Sequence, residues 1–364
     1  MPQRSFWKSI LLVGLCMPVL LPPALAAESF VLGYYPAGMR DRLPAEKVDF
    51  KVLTHICHAF IRPRVDGTLD FGDRFLYPEL VKAAHEAGRQ ILVSVGGGGG
   101  GRALEGFAPV AADARLRAVF IRNLISFCDE NGYDGIDFDW EYPSGPDQRT
   151  NHAILVAELR KAVNQRPKPL LITMAASGRL RSDEVFDHSV LKEQLDWFNI
   201  MTYDFHGLWS RVAGFNSPVY SVIPGSKGIP EGAATAVDFM VRQMGIPTSK
   251  LLLGLPFYGF VLEAEKIKGP SNGGRYINYS EIVMKWAAGG WNSHWDETAM
   301  VPYLTRVDPG QVITFDTPDS IAIKCDFARV NNLRGVMIWA LGQDVLEGRQ
   351  LLLETVGTKK WEVK

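Results

Sequence analysis

Short runs of apolar residues alternate along the chain with longer segments in which apolar residues recur every three or four positions. The short runs are typical of buried strands, and the longer spacing is typical of helices that bury one face. Leu116, Phe120, Leu124 and Phe127 follow the helical spacing, and the helix stop signal Asn131-Gly132 comes after them. The predicted strands are 30–35, 52–61, 90–95, 133–139, 170–175, 197–202, 251–257 and 335–340, and the predicted helices are 76–87, 116–131, 152–163, 233–243 and 319–330.

Eight strands separated by helices or long connections predict parallel strand–helix–strand units. A closed (β/α)8 TIM barrel covers both faces of such strands, and about 250 residues is its usual size before insertions. The alternative is an open doubly wound sheet, which usually carries a glycine-rich turn after its first strand. The residues that follow Tyr35 lack this turn. We therefore predict an α/β fold with a single barrel domain over residues 27–364.

Residues 260–314 are the least regular stretch of the chain and contain the turn-forming sequences Gly269-Pro270 and Asn272-Gly273-Gly274. We interpret this stretch as an elaborated loop after the seventh strand and not as a separate domain. The sequence contains no internal repeat and no low-complexity linker that would mark an appended binding module.

The first 26 residues have the pattern of a signal peptide. Arg4 and Lys8 form a basic start, an apolar run covers 10–21, and Ala24-Leu25-Ala26 supplies the small residues of a cleavage site. The apolar run is too short and too interrupted by proline for a good membrane span. We therefore expect a secreted or periplasmic protein that has no contact with a membrane after cleavage.

The composition excludes several classes of partner. The formal net charge is −1, so nothing drives association with nucleic acid or an anionic membrane, and we expect a monomer. Cys57, Cys128 and Cys325 remain after the signal peptide and are too few for a disulfide framework, so we expect small buried side chains. The 9 Trp, 11 Tyr and 19 Phe suit sugar binding, although core packing accounts for most of them.

The predicted fourth strand ends in a row of acids. Asp137, Asp139 and Glu141 alternate along it, so their side chains point to one face, which in a barrel is the interior near the catalytic mouth. Three neighbouring carboxyl groups raise one another's pKa, so Glu141 could stay protonated near neutral pH and act as a general acid. An exposed acidic strand end, or a Mg²⁺ or Ca²⁺ site, would use the same residues, and the residues alone leave these alternatives open.

Four ordered motifs resemble those of the glycoside hydrolase family 18 chitinases. The family signature D-x-x-D-x-D-x-E is matched by Asp134, Asp137, Asp139 and Glu141. Residues 94–97 are similar to the family's S-x-G-G motif, 201–204 to its M-x-Y-D motif, and 335–339 to its eighth strand. The resemblance covers essentially the whole chain after residue 26.

The resemblance implies an eight-stranded barrel and a retaining, substrate-assisted mechanism that needs no metal and no cofactor. In this scheme Glu141 protonates the leaving oxygen and later activates water, while the substrate's own N-acetyl oxygen is the nucleophile. Asp139 orients the acetamido group, and Asp137 holds a proton shared with Asp139. Tyr203 and Asp204 hydrogen-bond the distorted sugar.

The resemblance also implies which residues contact or support the substrate. Trp339 would form the hydrophobic floor under the reacting sugar, and Asp134 and Ser94 would support the acids by hydrogen bonds. The further residues expected to line the cleft are Tyr258, Met201, Tyr34, Phe60 and Trp140.

The sequence departs from the family pattern at three places. Gly98 stands where many members carry a sugar-stacking Trp, so we expect Trp140 or Trp209 to replace it. Phe260 stands where many members carry Arg. The segment after the seventh strand looks shorter than the small α+β wall of some chitinases, which predicts a shallower cleft.

The expected activity is hydrolysis of β-1,4 bonds in chitin or N-acetylglucosamine oligosaccharides. One alternative is an endo-β-N-acetylglucosaminidase that acts on glycoprotein glycans or peptidoglycan fragments. Another is a non-catalytic, lectin-like chitin-binding protein. Such relatives commonly lose the acid, and the presence of Glu141 with both aspartates favours an enzyme.

Overall fold

Eight parallel strands form a closed barrel at the centre of the molecule. The computed structural model describes residues 30–98, 105–180, 182–225 and 228–359, so the predicted signal peptide 1–26 lies outside the described residues. The barrel strands are β1 (Phe30–Pro36), β2 (His55–Pro63), β3 (Gln90–Gly96), β4 (Gly135–Asp139), β5 (Leu171–Ser177), β6 (Trp197–Met201), β7 (Leu251–Pro256) and β8 (Gly335–Trp339).

The barrel closes because β1 pairs in parallel with both β2 and β8. Tyr34 lies opposite Cys57 on β2, and Val31 lies opposite Val336 on β8. Each remaining strand pairs in parallel with its neighbours in chain order. This confirms the predicted (β/α)8 barrel and excludes the open doubly wound sheet.

Helices follow most of the strands and cover the outside of the barrel. The helix predicted over 116–131 is confirmed as α3: Asp113 accepts hydrogen bonds from Arg115 N and Leu116 N at its start, and Gly132 ends it with a left-handed φ of 77°. The helices are α1 (Pro78–Glu86), α2 (Phe107–Ala112), α3 (Ala114–Asn131), α4 (Gly145–Asn164), α5 (Ser182–Val185), α6 (His188–Gln194), α7 (Ala233–Asp238), α8 (Tyr279–Ala287), α9 (Pro318–Val330) and α10 (Leu351–Gly357).

Two groups of buried side chains stabilise this arrangement. The larger group fills the layer between the barrel and its helices and includes Ile136 and Phe138 from β4. The smaller group fills the barrel interior and includes Leu32, Leu92 and Met337. Alternate residues of one strand therefore belong to different layers, and this alternation decides which side chains can reach a site inside the barrel. Cys57, Cys128 and Cys325 are buried and unbridged.

The elaboration predicted after the seventh strand is present between β7 and β8, and it is a folded sheet. Five antiparallel strands and α8 form an α+β insertion. Two of its strands are largely exposed and lack the apolar alternation that reveals a strand in a sequence. In sheet order the strands are Gly274–Asn278, Tyr258–Leu262, Gln311–Thr314, Val301–Arg306 and Asn292–Asp296.

One histidine of the outer layer is buried without a hydrogen bond. His152 on α4 is fully buried, and its ring packs edge-on against Phe138 and Trp140. Neither ring nitrogen has a hydrogen-bond partner among the described residues. Burial, and next the nearby His188, lower the pKa of His152 to about 3. The folded protein therefore keeps this ring neutral when an unfolded chain, with a histidine pKa of about 6.5, would protonate it.

This difference predicts a loss of stability in acid. Because the pKa of His152 is lowered by folding, its contribution is fully present above pH of about 6.5 and is lost as the pH falls towards 3. We expect His152→Leu to reduce the slope of unfolding free energy against pH, between pH 6 and 4, by up to about 1.4 kcal/mol per pH unit. Urea denaturation at several pH values measures this slope. The exposed His294 provides the control variant His294→Leu, and equal slopes in both variants would contradict the prediction.

Candidate active site

A cavity of about 270 Å³ opens at the carboxyl ends of the barrel strands. Residues of β1, β2, β4, β5, β6 and β8, and residues that follow β3, β4, β6 and β7, meet there. Most of the residues predicted from the sequence to contact substrate lie in its wall. The lining residues are Tyr34, Phe60, Gly98, Asp139, Glu141, Ala175, Met201, Tyr203, Asp204, Tyr258 and Trp339.

Asp137 and Asp139 on β4, and Glu141 two residues after its end, point into the barrel, as their alternation predicts. Asp137 lies opposite Ser94, and Asp139 lies opposite Gly96 on β3. Asp137 is fully buried at the bottom of the row, whereas Asp139 and Glu141 line the cavity. The strand therefore carries the acids from the barrel interior to its mouth.

Asp137 is held by four hydrogen-bond donors. Its Oδ2 accepts from the hydroxyls of Tyr34 at 2.8 Å and Ser94 at 2.7 Å, and its Oδ1 accepts from Thr173 Oγ1 at 2.6 Å and Asn199 Nδ2 at 3.0 Å. Burial raises the pKa of Asp137, and these hydrogen bonds oppose the rise. Asp137 makes no hydrogen bond to Asp139 among the described contacts, so the expected shared proton has no direct path here. The predicted support from Ser94 is confirmed.

Asp139 has an oxygen that nothing in the protein satisfies. The residue is 3% exposed, and its Oδ1 has no hydrogen-bond partner within the described part of the chain. Burial raises the pKa of Asp139 well above its usual value, and the charges of Glu141 and Asp137 raise it further. A buried polar atom without a partner is destabilising, so this oxygen is suited to a hydrogen bond with a ligand in the cavity.

Glu141 combines access to the cavity with a shifted pKa. Burial raises its pKa to about 7, a hydrogen bond from Tyr142 opposes this shift, and the charge of Asp204 adds to it. Gly98 lies directly beside the carboxyl group, because a Cβ at this position would be 2.8 Å from Glu141 Oε1.

Tyr203, Asp204 and Tyr258 form the wall opposite the acid row. The Tyr258 hydroxyl donates to Asp204 Oδ1 at 2.5 Å. Burial raises the pKa of Asp204, and this hydrogen bond opposes the rise. Within the described residues the Tyr203 hydroxyl has only a long contact of 3.8 Å to Met337 Sδ, which leaves it available to a ligand.

Trp339 forms an aromatic floor with two neighbours. Its ring lies nearly parallel to Phe60 with 5.5 Å between centroids, and it is tilted against Tyr34 at 5.6 Å. The Tyr34 hydroxyl donates its hydrogen bond to Asp137, so the ring of Tyr34 is the part of this residue that faces the cavity. Such a floor suits the apolar face of a sugar ring.

The same arrangement is found in proteins of known family. The sequence profile of Glycosyl hydrolases family 18 matches residues 31–344 of the chain. The protein belongs to this family. The match covers the barrel, the acid row and the insertion, and it confirms the resemblance on which the sequence interpretation depended.

Several relatives show how far the similarity extends. Probable chitinase 2 of Drosophila melanogaster is 31% identical over 280 residues, which are 70% of this chain and 56% of that protein. Chitotriosidase-1 of Mus musculus is 30% identical over 83% of this chain and 69% of its own length. The crystal structure of Ostrinia furnacalis Group IV chitinase in complex with allosamidin has 26% identity and a TM-score of 0.83, covering 91% of this chain and 98% of that chain.

Two residues of the family 18 interpretation lie outside the site. Trp140 is 2% exposed and stacks on Phe107 at 4.9 Å, so the predicted contact with substrate was wrong. It follows Asp139 directly in the strand direction, so its side chain points outward to the helices. Trp209, the other expected replacement, is 50% exposed and packs edge-on against Phe260 beside the cavity wall, without lining the cavity itself.

Asp134 also has a different role from the predicted one. It precedes β4 at the amino-terminal end of the barrel, opposite to the cavity, and hydrogen-bonds no member of the acid row among the described contacts. Its carboxyl group instead accepts from Ile91 N at 3.0 Å and Lys168 Nζ at 3.2 Å and pairs with His85 Nε2 at 2.8 Å. Asp134 therefore joins α1, β3 and the start of β5, and it supports the fold of the barrel.

Asn216 is a site residue that the sequence analysis missed. Its Oδ1 accepts from the backbone N of Asp204 at 2.9 Å, and its Nδ2 donates to the carbonyl of Tyr258 at 3.4 Å. Its own backbone N donates to Thr314 Oγ1 at 2.8 Å. Asp204 has a left-handed φ of 59°, which is unfavourable for a residue other than glycine. Asn216 holds this backbone in place, and no periodicity marks such a residue in a loop.

The described part of the chain contains no cluster of three or more His, Cys, Asp or Glu side chains placed to hold a metal ion. Within the same residues, no helix has the length and apolar character needed to cross a membrane.

We expect Asn216→Ala to lower the free energy of unfolding by about 1–3 kcal/mol, because it removes the hydrogen bonds of the part-buried Asp204 N–H and of the buried Tyr258 carbonyl. Chemical denaturation measures the change. The matched control is Asn123→Ala, which removes one partly exposed hydrogen bond to Gly67 O and should destabilise less. Equal destabilisation by the two substitutions would show that Asn216 does not hold the Asp204 backbone.

Proposed function

We propose that the protein hydrolyses β-1,4 bonds between N-acetylglucosamine units by retaining, substrate-assisted catalysis. The observation that carries the proposal is the pairing of two carboxyl groups in one cavity. Glu141 has a pKa of about 7, and Asp139 beside it has a buried oxygen without a partner among the described residues. A proton donor that works near neutral pH and an acceptor for an acetamido N–H are what substrate assistance requires.

In the first step a sugar lies on Trp339 with its acetamido group directed to Asp139. Glu141 gives its proton to the glycosidic oxygen, and the bond between this oxygen and the anomeric carbon breaks. The acetamido oxygen attacks the same carbon from the opposite face and forms a cyclic oxazolinium ion. Asp139 accepts the acetamido N–H and stabilises the positive charge that develops on the ring.

In the second step Glu141 is a carboxylate and acts as a base. It takes a proton from water, and the water oxygen attacks the anomeric carbon as the oxazolinium ring opens. The acetamido group is restored and Glu141 is protonated again. Two inversions at one carbon retain the configuration, and no metal or cofactor takes part.

The remaining wall positions the sugar. Tyr203 and the Tyr258–Asp204 pair supply hydroxyl and carboxyl groups on the side opposite the acids, and Met201 and Phe60 supply apolar contact. A metal site at the row of acids would need carboxylate oxygens that are free to bind the ion. Each oxygen of Asp137 instead accepts hydrogen bonds from two donors.

The relatives support this class of substrate. The mouse and fruit-fly proteins are named as chitotriosidase and probable chitinase, and the Ostrinia furnacalis chitinase was solved with allosamidin. A lectin-like function has less support, because Glu141 is present and its carboxyl group lines the cavity.

We also propose that the protein is exported and acts as a monomer in the periplasm or outside the cell, on the basis of its first 26 residues and near-neutral charge.

Glu141→Gln tests the proposal directly. Glutamine keeps the size of the side chain but cannot donate the catalytic proton, so we expect at least about a 100-fold loss in kcat on chitooligosaccharides, with binding retained. Product release followed by chromatography measures the rate, and calorimetry measures binding. The matched control is Glu130→Gln at the exposed end of α3, near the amino-terminal face of the barrel. Comparable hydrolysis by the Glu141 and Glu130 variants would remove the mechanism.

The pH profile provides a second test. Because Glu141 must be protonated, we expect kcat/KM to fall as the pH rises above about 7. The charge of Asp204 contributes to the raised pKa of Glu141, so Asp204→Asn should move this alkaline limb to lower pH as well as reduce the rate. Asp129→Asn, which removes an exposed charge on α3, should leave the limb in place. If kcat/KM falls at the same pH in Asp204→Asn as in the wild type, the charge of Asp204 does not raise the pKa of Glu141, and the prediction is wrong.

A further inference from the structure

A second cavity of about 280 Å³ lies beside the catalytic one. Phe60 belongs to the walls of both cavities, so a sugar chain that leaves the aromatic floor over Phe60 enters the second one directly. We call this second cavity the β1–β2 groove. Its lining residues are Ala37, Gly38, Phe60, Arg62, Asp70, Phe71, Gly72, Arg74 and Phe75.

One arginine in this groove lacks a counter-ion. Arg74 pairs with both oxygens of Asp41, at 2.7 and 2.9 Å, and the nearby Arg64 pairs with Asp70 at 2.9 Å. Arg62 makes no ion pair and no side-chain hydrogen bond with any residue that the structure describes. It is exposed, lies two positions after Phe60 on β2, and lines the same groove as Phe60. The groove therefore contains one arginine without an ion pair next to the wall of the catalytic cavity, because Asp70, which lies opposite Arg62 across the hairpin, pairs with Arg64.

The groove also presents an aromatic surface. Phe71 is 37% exposed, and its buried side is held by Phe127 at 5.1 Å and Phe75 at 6.4 Å. A fixed ring with one free face can pack against the apolar face of a sugar. A guanidinium group binds a carboxylate through two parallel hydrogen bonds. Together the two features suit a sugar unit that bears an acid.

We propose that the β1–β2 groove binds the neighbouring unit of the substrate chain and selects an amino sugar that carries a carboxylate substituent. This inference rests on the proposed substrate-assisted hydrolysis and extends its substrate from a chain of N-acetylglucosamine units to one in which these units alternate with a carboxylated amino sugar. The glycan strands of peptidoglycan have this chemistry, because every second amino sugar carries a lactyl carboxylate. Chitin is uncharged and offers no partner to Arg62. The catalytic cavity still receives an N-acetylated unit, as substrate assistance requires.

The test compares two substrates of equal length, a neutral chitooligosaccharide and a peptide-free peptidoglycan glycan fragment. We expect the wild type to have a higher kcat/KM on the carboxylated fragment, and Arg62→Gln to lower the ratio of the two values by about tenfold. Arg62→Lys keeps the charge but loses the planar fork, so it should restore the ratio in part. The preference should also weaken as salt is added, because the ion pair is exposed.

Arg122→Gln is the matched control, because Arg122 is an exposed arginine on α3 that does not line the groove. It should keep the wild-type ratio. A ratio unchanged by Arg62→Gln, or an equal loss on both substrates, would overturn the proposal. Melting temperatures close to that of the wild type would confirm that the exposed substitutions leave the fold intact.

Failure of the proposed function gives a different result. If the wild type cleaves neither substrate, catalysis is wrongly assigned, and the groove is judged from dissociation constants of the two oligosaccharides. Tighter binding of the carboxylated fragment that is lost in Arg62→Gln would support the groove even then. Equal dissociation constants would overturn it.

Discussion

A carboxyl group inside a barrel destabilises the fold unless hydrogen bonds replace the water it loses, and Asp137 meets this requirement with donors from four different strands. Tyr34, Ser94, Thr173 and Asn199 come from β1, β3, β5 and β6, so the hydrogen bonds also join strands that are distant in the sequence. This cluster fixes the level of β4 inside the barrel, and every acid further along the strand takes its position from it.

Asp139 and Glu141, the next two acids, have fewer hydrogen-bond donors than Asp137 and are therefore available for chemistry. Asp139 lies one inward position beyond Asp137, and burial and the charges of Glu141 and Asp137 raise its pKa. It has no donor of its own in the described structure, so one oxygen is left for a ligand. Glu141 lies one inward position further, where burial and the charge of Asp204 raise its pKa to about 7. The fully hydrogen-bonded Asp137 is therefore a structural acid, whereas the less satisfied Asp139 and Glu141 are the two reactive ones.

The insertion after β7 contributes to the site through Tyr258, where it leaves the barrel, and not through its outer strands. Tyr258 is the first residue of its sheet, and the hydroxyl of this tyrosine holds Asp204. Asn216 then links the backbones of both residues to Thr314 on a third strand. The wall opposite the acids is thus built from loops and a small sheet whose relative positions depend on a few buried hydrogen bonds.

The sequence by itself determined the barrel, the course of β4 and the inward direction of Asp137, Asp139 and Glu141, because strand periodicity is a local property that each segment carries alone. Only the tertiary structure decided that Trp140 packs on Phe107, that Asp134 serves the opposite end of the barrel, and that Asn216 holds Asp204. The outer strands of the insertion could not be predicted from the sequence either, because these exposed strands carry no apolar alternation. These features depend on pairs of residues far apart in the chain, and such pairs become neighbours only once the barrel has closed.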